Sequence, residues 1–413
     1  MAFAVGATAG LIAVQFFQVH LFTLVVVLWV AVSMRSSERW VLWRAALVIA
    51  ASIPLATTAL TGDLVNSPTL ALQLIALAVC AALIVVNADR EDIKTMLYGL
   101  LVVATAASAW AMLQVVDIVP NDAWHLDVSA LGRPTGFYPE PDWLGMFAGI
   151  GLVLAWRLEL RPRWRVILVA VNGFALALAF ARAAWVAVVA SSLIAFALYV
   201  INLRRDRGRT VIAEVRTGRL AATGVLVAAG AIALASVPSL ASDLILRLSR
   251  TLTVADNDIS AQARVQQNDS LSFLASTAPW NGHGISSSGR VGVSGIIEYG
   301  ESVNNVGSNW IVSMWVDGAW LSLPIVCILL LTAVFSARSI AGQLLLLVLL
   351  NSLFSNATYQ PVTWLLLGIC LASSNFDRKR PSDVGEKLTK PIVVRETLAR
   401  HFPTSGTPLR TRT

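Results

Sequence analysis

Long apolar runs, broken by short polar stretches, occupy most of the chain. They fall at 2–17, 20–34, 40–60, 67–87, 93–116, 142–157, 164–181, 184–201, 220–236, 310–335, 340–355 and 360–373. Each reads as a helix for an apolar medium, although several are shorter than the ~20 residues a straight span needs. Gln15, Gln18 and His20 interrupt the first two runs. These two are readable as a pair of short helices, one long tilted helix or a re-entrant pair.

The polar breaks differ in charge. Arg35, Arg39 and Arg44 mark one set, which continues with Arg90 and Lys94, then Arg157, Arg161, Arg163 and Arg165, then the six arginines from Arg204 to Arg219, and Arg338. The alternate breaks, 61–66, 117–141, 237–309 and 356–360, are poor in Lys and Arg for their length. About twelve spans keep this alternation throughout, and the positive-inside rule then puts both termini in the cytoplasm. The expectation is an all-α integral membrane protein in a lipid bilayer. Nine spans lie within 1–236 with an outer loop at 117–141. A large and mostly helical outer loop covers 237–309, three more spans lie within 310–373, and a basic cytoplasmic tail runs over 374–413.

Composition agrees. The 413 residues are 56% hydrophobic and 13% charged, with mean hydropathy +0.70, against about 25% charged in soluble domains. The net charge of +7 is placed as a topology signal, which argues against nucleic-acid binding. Cys80, Cys327 and Cys370 sit inside apolar runs without metal-ligand spacing and read as inert thiols. No metal site and no cofactor motif is evident. HExxH, a Cys/His zinc set, a Walker pattern and a serine elbow are all missing. "DND" at 256–258 is readable as a polar turn or as two carboxylates spaced to hold a divalent cation beside a diphosphate, and the polar turn is preferred.

Five stretches carry the polar chemistry. "RPTGFYPEPDWLGMF", 133–147, puts Arg133, Glu140, Asp142 and Trp143 at a helix mouth. Its prolines exclude helix through 134–141, and Asp142 is a suitable N-cap. "AFARAAW" sets Arg182 at a tight turn between apolar runs, where an arginine either snorkels or clamps an anion. In the large loop, Ser242–Leu252 and residues 260–278 read as amphipathic helices. The second carries Arg264, with Leu271 and Leu274 on its apolar side and Phe273 near the edge. Arg247 and Arg250 are neighbours at helical spacing on the first. "PWNGHGISSSG", 279–289, holds Trp280 and His283 in a Gly-Ser run that can wrap an anion with backbone N–H groups. His283 is equally readable as a base or as a turn residue. "ESVNNVGSNWIVSMWVDGAW", 301–320, leads Glu301, Asn305, Ser308 and Asn309 into a helix start that favours an anion. Asp317 lies two turns further in, either a functional acid or the mark of a break.

Taken in order, R-x-T-G-F ahead of a helix, the A-R-A-A-W turn, a loop arginine, P-x-x-G-x-G and a polar "SN" helix start resemble the O-antigen ligase and polysaccharide polymerase superfamily across roughly 130–325. That resemblance implies a membrane glycosyltransferase of the bacterial cytoplasmic membrane. Its donor would be an undecaprenyl-diphosphate-linked glycan and its acceptor a glycan or glycolipid. Transfer would be metal-independent, inverting and at the outer face. Arg182 and Arg264 would hold the diphosphate with Arg133 nearby, and Ser308, Asn309, Asn305, Trp143 and Trp280 would contact glycan. Ligases of the family carry a His before the late Asn, and this chain has Ser308. The base then falls among Glu140, Asp142, His283, Glu298 and Glu301. A secondary transporter or flippase for a polar or lipid-linked substrate is the rival reading. Its usual marks, internal repeats and mid-membrane charges, are not evident in the sequence.

Overall fold

The computed structural model describes residues 1–12, 14–16, 19–33, 39–64, 67–116, 118–119, 133–205, 259–291 and 306–378. The run at 220–236, the segment 242–252, the "DND" turn, Glu298, Glu301, Asn305 and the tail beyond 378 lie outside these residues. So do the side chains of 259–264, including that of Arg264.

Helices form where the apolar runs predict them. They are α1 (Ala2–Ala9), α2 (Leu21–Ser33), α3 (Arg39–Thr61), α4 (Pro68–Asn87), α5 (Arg90–Val115), α6 (Pro141–Arg157), α7 (Pro162–Leu178), α8 (Arg182–Arg205), α9 (Ile259–Thr277), α10 (Trp310–Gly318), α11 (Leu323–Ser336), α12 (Ile340–Asn351) and α13 (Pro361–Arg378). Polar residues at the run boundaries set the starts. The Ser67 hydroxyl accepts the Leu70 N–H ahead of Pro68, and Asp89 and Asp92 form a reciprocal capping box.

Among the described residues, Trp40–Thr61, Pro68–Asn87, Arg90–Val115 and Trp310–Ser336 are long and apolar enough to cross a membrane. Many large apolar side chains point outward from the bundle. Examples are Leu24, Val27, Leu28 and Val32 on α2, Leu42, Trp43 and Leu47 on α3, and Val186, Val189, Leu193 and Phe196 on α8. Soluble proteins rarely expose such stripes, whereas lipid solvates them. The chain is a mostly helical membrane protein.

Two apolar runs do not become single helices. The run at 2–17 yields only the eight residues of α1. Gln15–Phe16 and Val19–His20 then form a two-residue antiparallel ladder, β1 and β2. α1 instead crosses α5 at Gly6 and Gly99, where neither glycine has room for a Cβ against the opposing backbone. The run at 310–335 breaks at Ala319 (φ 41°), and a 3-10 turn, Ala319–Ser322, separates α10 from α11.

The two sets of polar breaks gather at opposite ends of the helices. At the arginine-rich end, Arg157 donates to Gln343 (2.8 Å) and to the Arg338 carbonyl (3.0 Å), Arg44 to the Leu371 carbonyl (3.0 Å), and Lys94 pairs with Glu159 (3.6 Å). At the arginine-poor end, the Leu64 and Ser67 N–H groups donate to the carbonyls of His283 and Ile285, and the Trp310 N–H donates to the Ser352 carbonyl. Segments grouped by charge alone therefore meet in space.

Candidate functional site

The Gly-Ser run at the arginine-poor end folds inward as a plug. Residues 282–288 are all buried. The His283 N–H donates to the Val316 carbonyl (2.8 Å), Gly284 to the Asp317 carbonyl (3.1 Å), and Ile285 to the Thr58 hydroxyl (3.0 Å). Gly282 (φ 75°) makes this approach feasible, because a Cβ there would lie 2.5 Å from the Asp317 carbonyl oxygen and from Gly318 Cα and N. The plug wraps an anion as its composition suggests, but the anion belongs to the chain. The Asp317 carboxylate, closed to water, accepts the Ser288 N–H (2.7 Å) and hydroxyl (3.2 Å), with the Ser286 N–H directed at it too. Asp-Gly therefore marks the break between α10 and α11, and its acid staples the plug over that break.

His283 is similarly occupied. Its Nδ1 lies 2.9 Å from an Asp63 carboxylate oxygen, and its Nε2 lies 3.2 Å from the Leu274 carbonyl and 3.4 Å from the Thr277 hydroxyl. With both ring nitrogens engaged and the ring only 6% exposed, His283 ties α9 to the turn after α3. This geometry fits the turn reading and leaves neither nitrogen directed outward to take a proton from an acceptor.

At the start of α10, Asn309 caps the helix by accepting the Ile311 (3.1 Å) and Val312 (3.4 Å) N–H groups, so its own side chain takes donors that an incoming anion would use. The Ser308 hydroxyl donates to Gln267 (2.9 Å) on α9, one turn after Arg264 in sequence. Leu271 and Leu274 are buried and Phe273 is 59% exposed, as the periodicity predicts. Trp280 is exposed, and Trp310, the first residue of α10, is core.

The Arg133–Phe147 stretch forms a second wall. α6 begins at Pro141, with Glu140 as N-cap but without a capping hydrogen bond from its side chain. Asp142, which the sequence suggests as the cap, lies in the first turn instead and pairs with Arg133 at 3.6 Å. Proline at the first helical position fixes φ there, and this moves the helix start back by one residue. Glu140 is exposed and Trp143 half-buried. Tyr138 stacks on Phe147 with 4.6 Å between ring centroids. Gln114 of α5, not singled out in the sequence, holds the corner: its carbonyl oxygen accepts the Thr135 (3.1 Å) and Gly136 (2.8 Å) N–H groups. Gln114→Leu leaves two buried donors unpaired at about 1–3 kcal/mol each. A melting temperature several degrees lower is expected by thermal denaturation of the purified protein, and an unchanged value would show that the corner stands without Gln114.

Arg182 opens α8 two residues after Phe180, which adopts φ 48°, and its side chain is exposed. This turn packs on α6. A Cβ on Gly145 would lie 2.5 Å from Ala181 Cβ and 3.1 Å from Ala184 Cβ. Arg182 thus sits about one turn from the corner that holds Arg133, Glu140 and Asp142. The Arg182 turn packs on the helix whose first turn carries Asp142, paired with Arg133 of the same stretch. His283 and Asp317 are taken up in staples, and Ser308 and Asn309 in local contacts. The chain matches no protein-family model and no curated protein sequence.

Proposed function

We propose that the protein is a membrane glycosyltransferase that moves a glycan from an undecaprenyl-diphosphate carrier to an acceptor sugar, acting as a polysaccharide polymerase or ligase at the outer face of the bacterial cytoplasmic membrane. The observation that carries the reading is the packing of the Arg182 turn on α6, whose first turn pairs Asp142 with Arg133, at the end of an apolar bundle. A lipid diphosphate needs that combination: a bilayer-facing apolar surface for the polyprenyl chain, and planar guanidinium donors at the boundary for the phosphates. In the reaction the acceptor hydroxyl oxygen attacks the anomeric carbon, the carbon–oxygen bond to phosphate breaks, and the diphosphate departs with the electron pair. A carboxylate takes the hydroxyl proton. Glu140 is the favoured base because it is exposed at the helix mouth, whereas Asp142 is buried beside Arg133. The arginine-rich end, with both termini, then faces the cytoplasm.

The broken helix at 318–322 is the one feature that favours a transporter, because transport sites use discontinuous helices. Its acid is already satisfied by the plug at Ser288, which weighs against that reading. Reconstituted protein given an undecaprenyl-diphosphate oligosaccharide is expected to yield a product ladder if a polymerase, or a single addition if a ligase. The absence of transfer with any such donor would refute the proposal. Glu140→Gln should lower turnover by about 10²–10⁴-fold, and unchanged turnover would assign the base elsewhere.

A further inference from the structure

Among the described residues, Asn87, Asn172, Asn351 and Asn356 are buried, and Asn172 and Asn356 show their needs met within the chain. Asn172 accepts from the Ser108 hydroxyl (3.0 Å) and donates to the Thr105 hydroxyl (2.9 Å) and the Leu168 carbonyl (2.8 Å). Asn356 accepts from the Thr358 N–H (3.0 Å) and donates to the Gly307 carbonyl (3.1 Å). Asn351, the last residue of α12, is fully buried, and neither its amide nitrogen nor its amide oxygen has a partner. A buried carboxamide left bare is costly, and native interiors rarely keep one.

Its position is set by register. Gln343 of α12 donates to Ser192 of α8 (3.2 Å). One turn along, a Cβ on Gly149 of α6 would lie 2.6 Å from a Val188 methyl and 3.7 Å from a Leu347 methyl. The two helices run antiparallel, so the next turn pairs Asn351 with Ala184, beside Gly145. Asn351 therefore ends its helix directly beneath the corner that Arg182 opens.

We propose that the Asn351 carboxamide is a substrate-positioning group that reads a sugar hydroxyl or N-acyl group of the glycan next to the diphosphate. This inference rests on the glycosyltransferase reading. The chemistry selects the ligand: a carboxamide offers a donor and an acceptor together, and its complement must do the same. Hydroxyl and secondary amide groups do so, whereas a fully ionised diphosphate only accepts and would leave the amide oxygen bare. The arginines hold the charged end of the donor, and Asn351 fixes the first sugar against them.

The test compares wild type with Asn351→Leu, both full-length in nanodiscs, using thermal unfolding with bare undecaprenyl diphosphate or with its glycan-bearing form. Wild type should be stabilised more by the glycan-bearing carrier. Asn351→Leu should unfold at the same or a higher temperature without ligand, because an apolar side chain relieves the bare amide, and it should respond equally to both carriers. In the transfer assay its KM for the glycan donor should rise about ten- to hundredfold. Equal stabilisation of wild type by both carriers, or a glycan-dependent difference that persists in Asn351→Leu, overturns the inference and leaves the glycosyltransferase reading standing. Lower intrinsic stability of Asn351→Leu also overturns it, because the residue is then a packing member. Stabilisation by neither carrier overturns both. Asn351→Ser, smaller and still polar, provides the same ligand comparison if Leu does not insert.

Discussion

Arg182→Ala is expected to reduce glycan transfer by about 10²–10³-fold while the protein still inserts and unfolds at its normal temperature. Removing one preorganised donor from a developing oxyanion costs about 2.7–4 kcal/mol of transition-state stabilisation. In an inverting displacement that charge develops on the departing diphosphate. Arg182 suits this role because it is the first residue of α8 and exposed, while the residues around it, Ala181, Ala183 and Ala184, are buried against α6. The alanines of the turn are held by packing on Gly145, and truncation of the exposed side chain keeps that packing, so the fold should stay intact. Arg182→Lys keeps the charge but not the planar fork, and should recover only part of the rate. The decisive measurement pairs single-turnover transfer with a melting curve. Full activity in Arg182→Ala would remove the diphosphate clamp, whereas activity lost together with stability would reclassify Arg182 as structural.

The second large effect concerns folding. Gly282→Ala should destabilise the protein by several kcal/mol, seen as a much lower melting temperature and greatly reduced recovery of folded protein. Two penalties add. A left-handed backbone costs a non-glycine residue roughly 1 kcal/mol or more. The new Cβ would also press against backbone atoms of Asp317 and Gly318 at 2.5 Å, and these cannot rotate away. The plug would be pushed off the break between α10 and α11. That would leave the buried Asp317 carboxyl without its Ser288 partners, and a buried polar group left unsatisfied costs about 1–3 kcal/mol. Near-wild-type stability of Gly282→Ala would show that the plug is not anchored as described.

Helix positions were largely legible because apolar runs and bilayer-scale lengths leave little choice of secondary structure. The grouping of loop ends was legible from arginine placement, and the buried side of α9 from the spacing of Leu271 and Leu274. Other features depend on tertiary approach and leave no local signal. The eight-residue α1 followed by a strand pair looks like a continuous apolar run until α5 is placed against it. Asp317 reads as a lone acid in a helix, and only the folded plug reveals Ser288 as its partner. His283 has the composition of a base, but the partners of its two ring nitrogens come from residues 63 and 274. Gln114 and Asn351 are single amides in apolar helices, indistinguishable in sequence, yet one is fully employed and the other idle.

The brevity of α1 constrains how the molecule is assembled. Eight residues span ~12 Å, less than half of a ~30 Å hydrocarbon core. The strand pair after it carries backbone groups that lipid cannot satisfy. Residues 2–9 are synthesised some ninety positions ahead of Met96 and Gly99, the surface they pack on. They cannot settle by partitioning alone as an independent span would. Their final seat exists only after α5 has emerged and inserted, so this segment is made early in biogenesis and docks late.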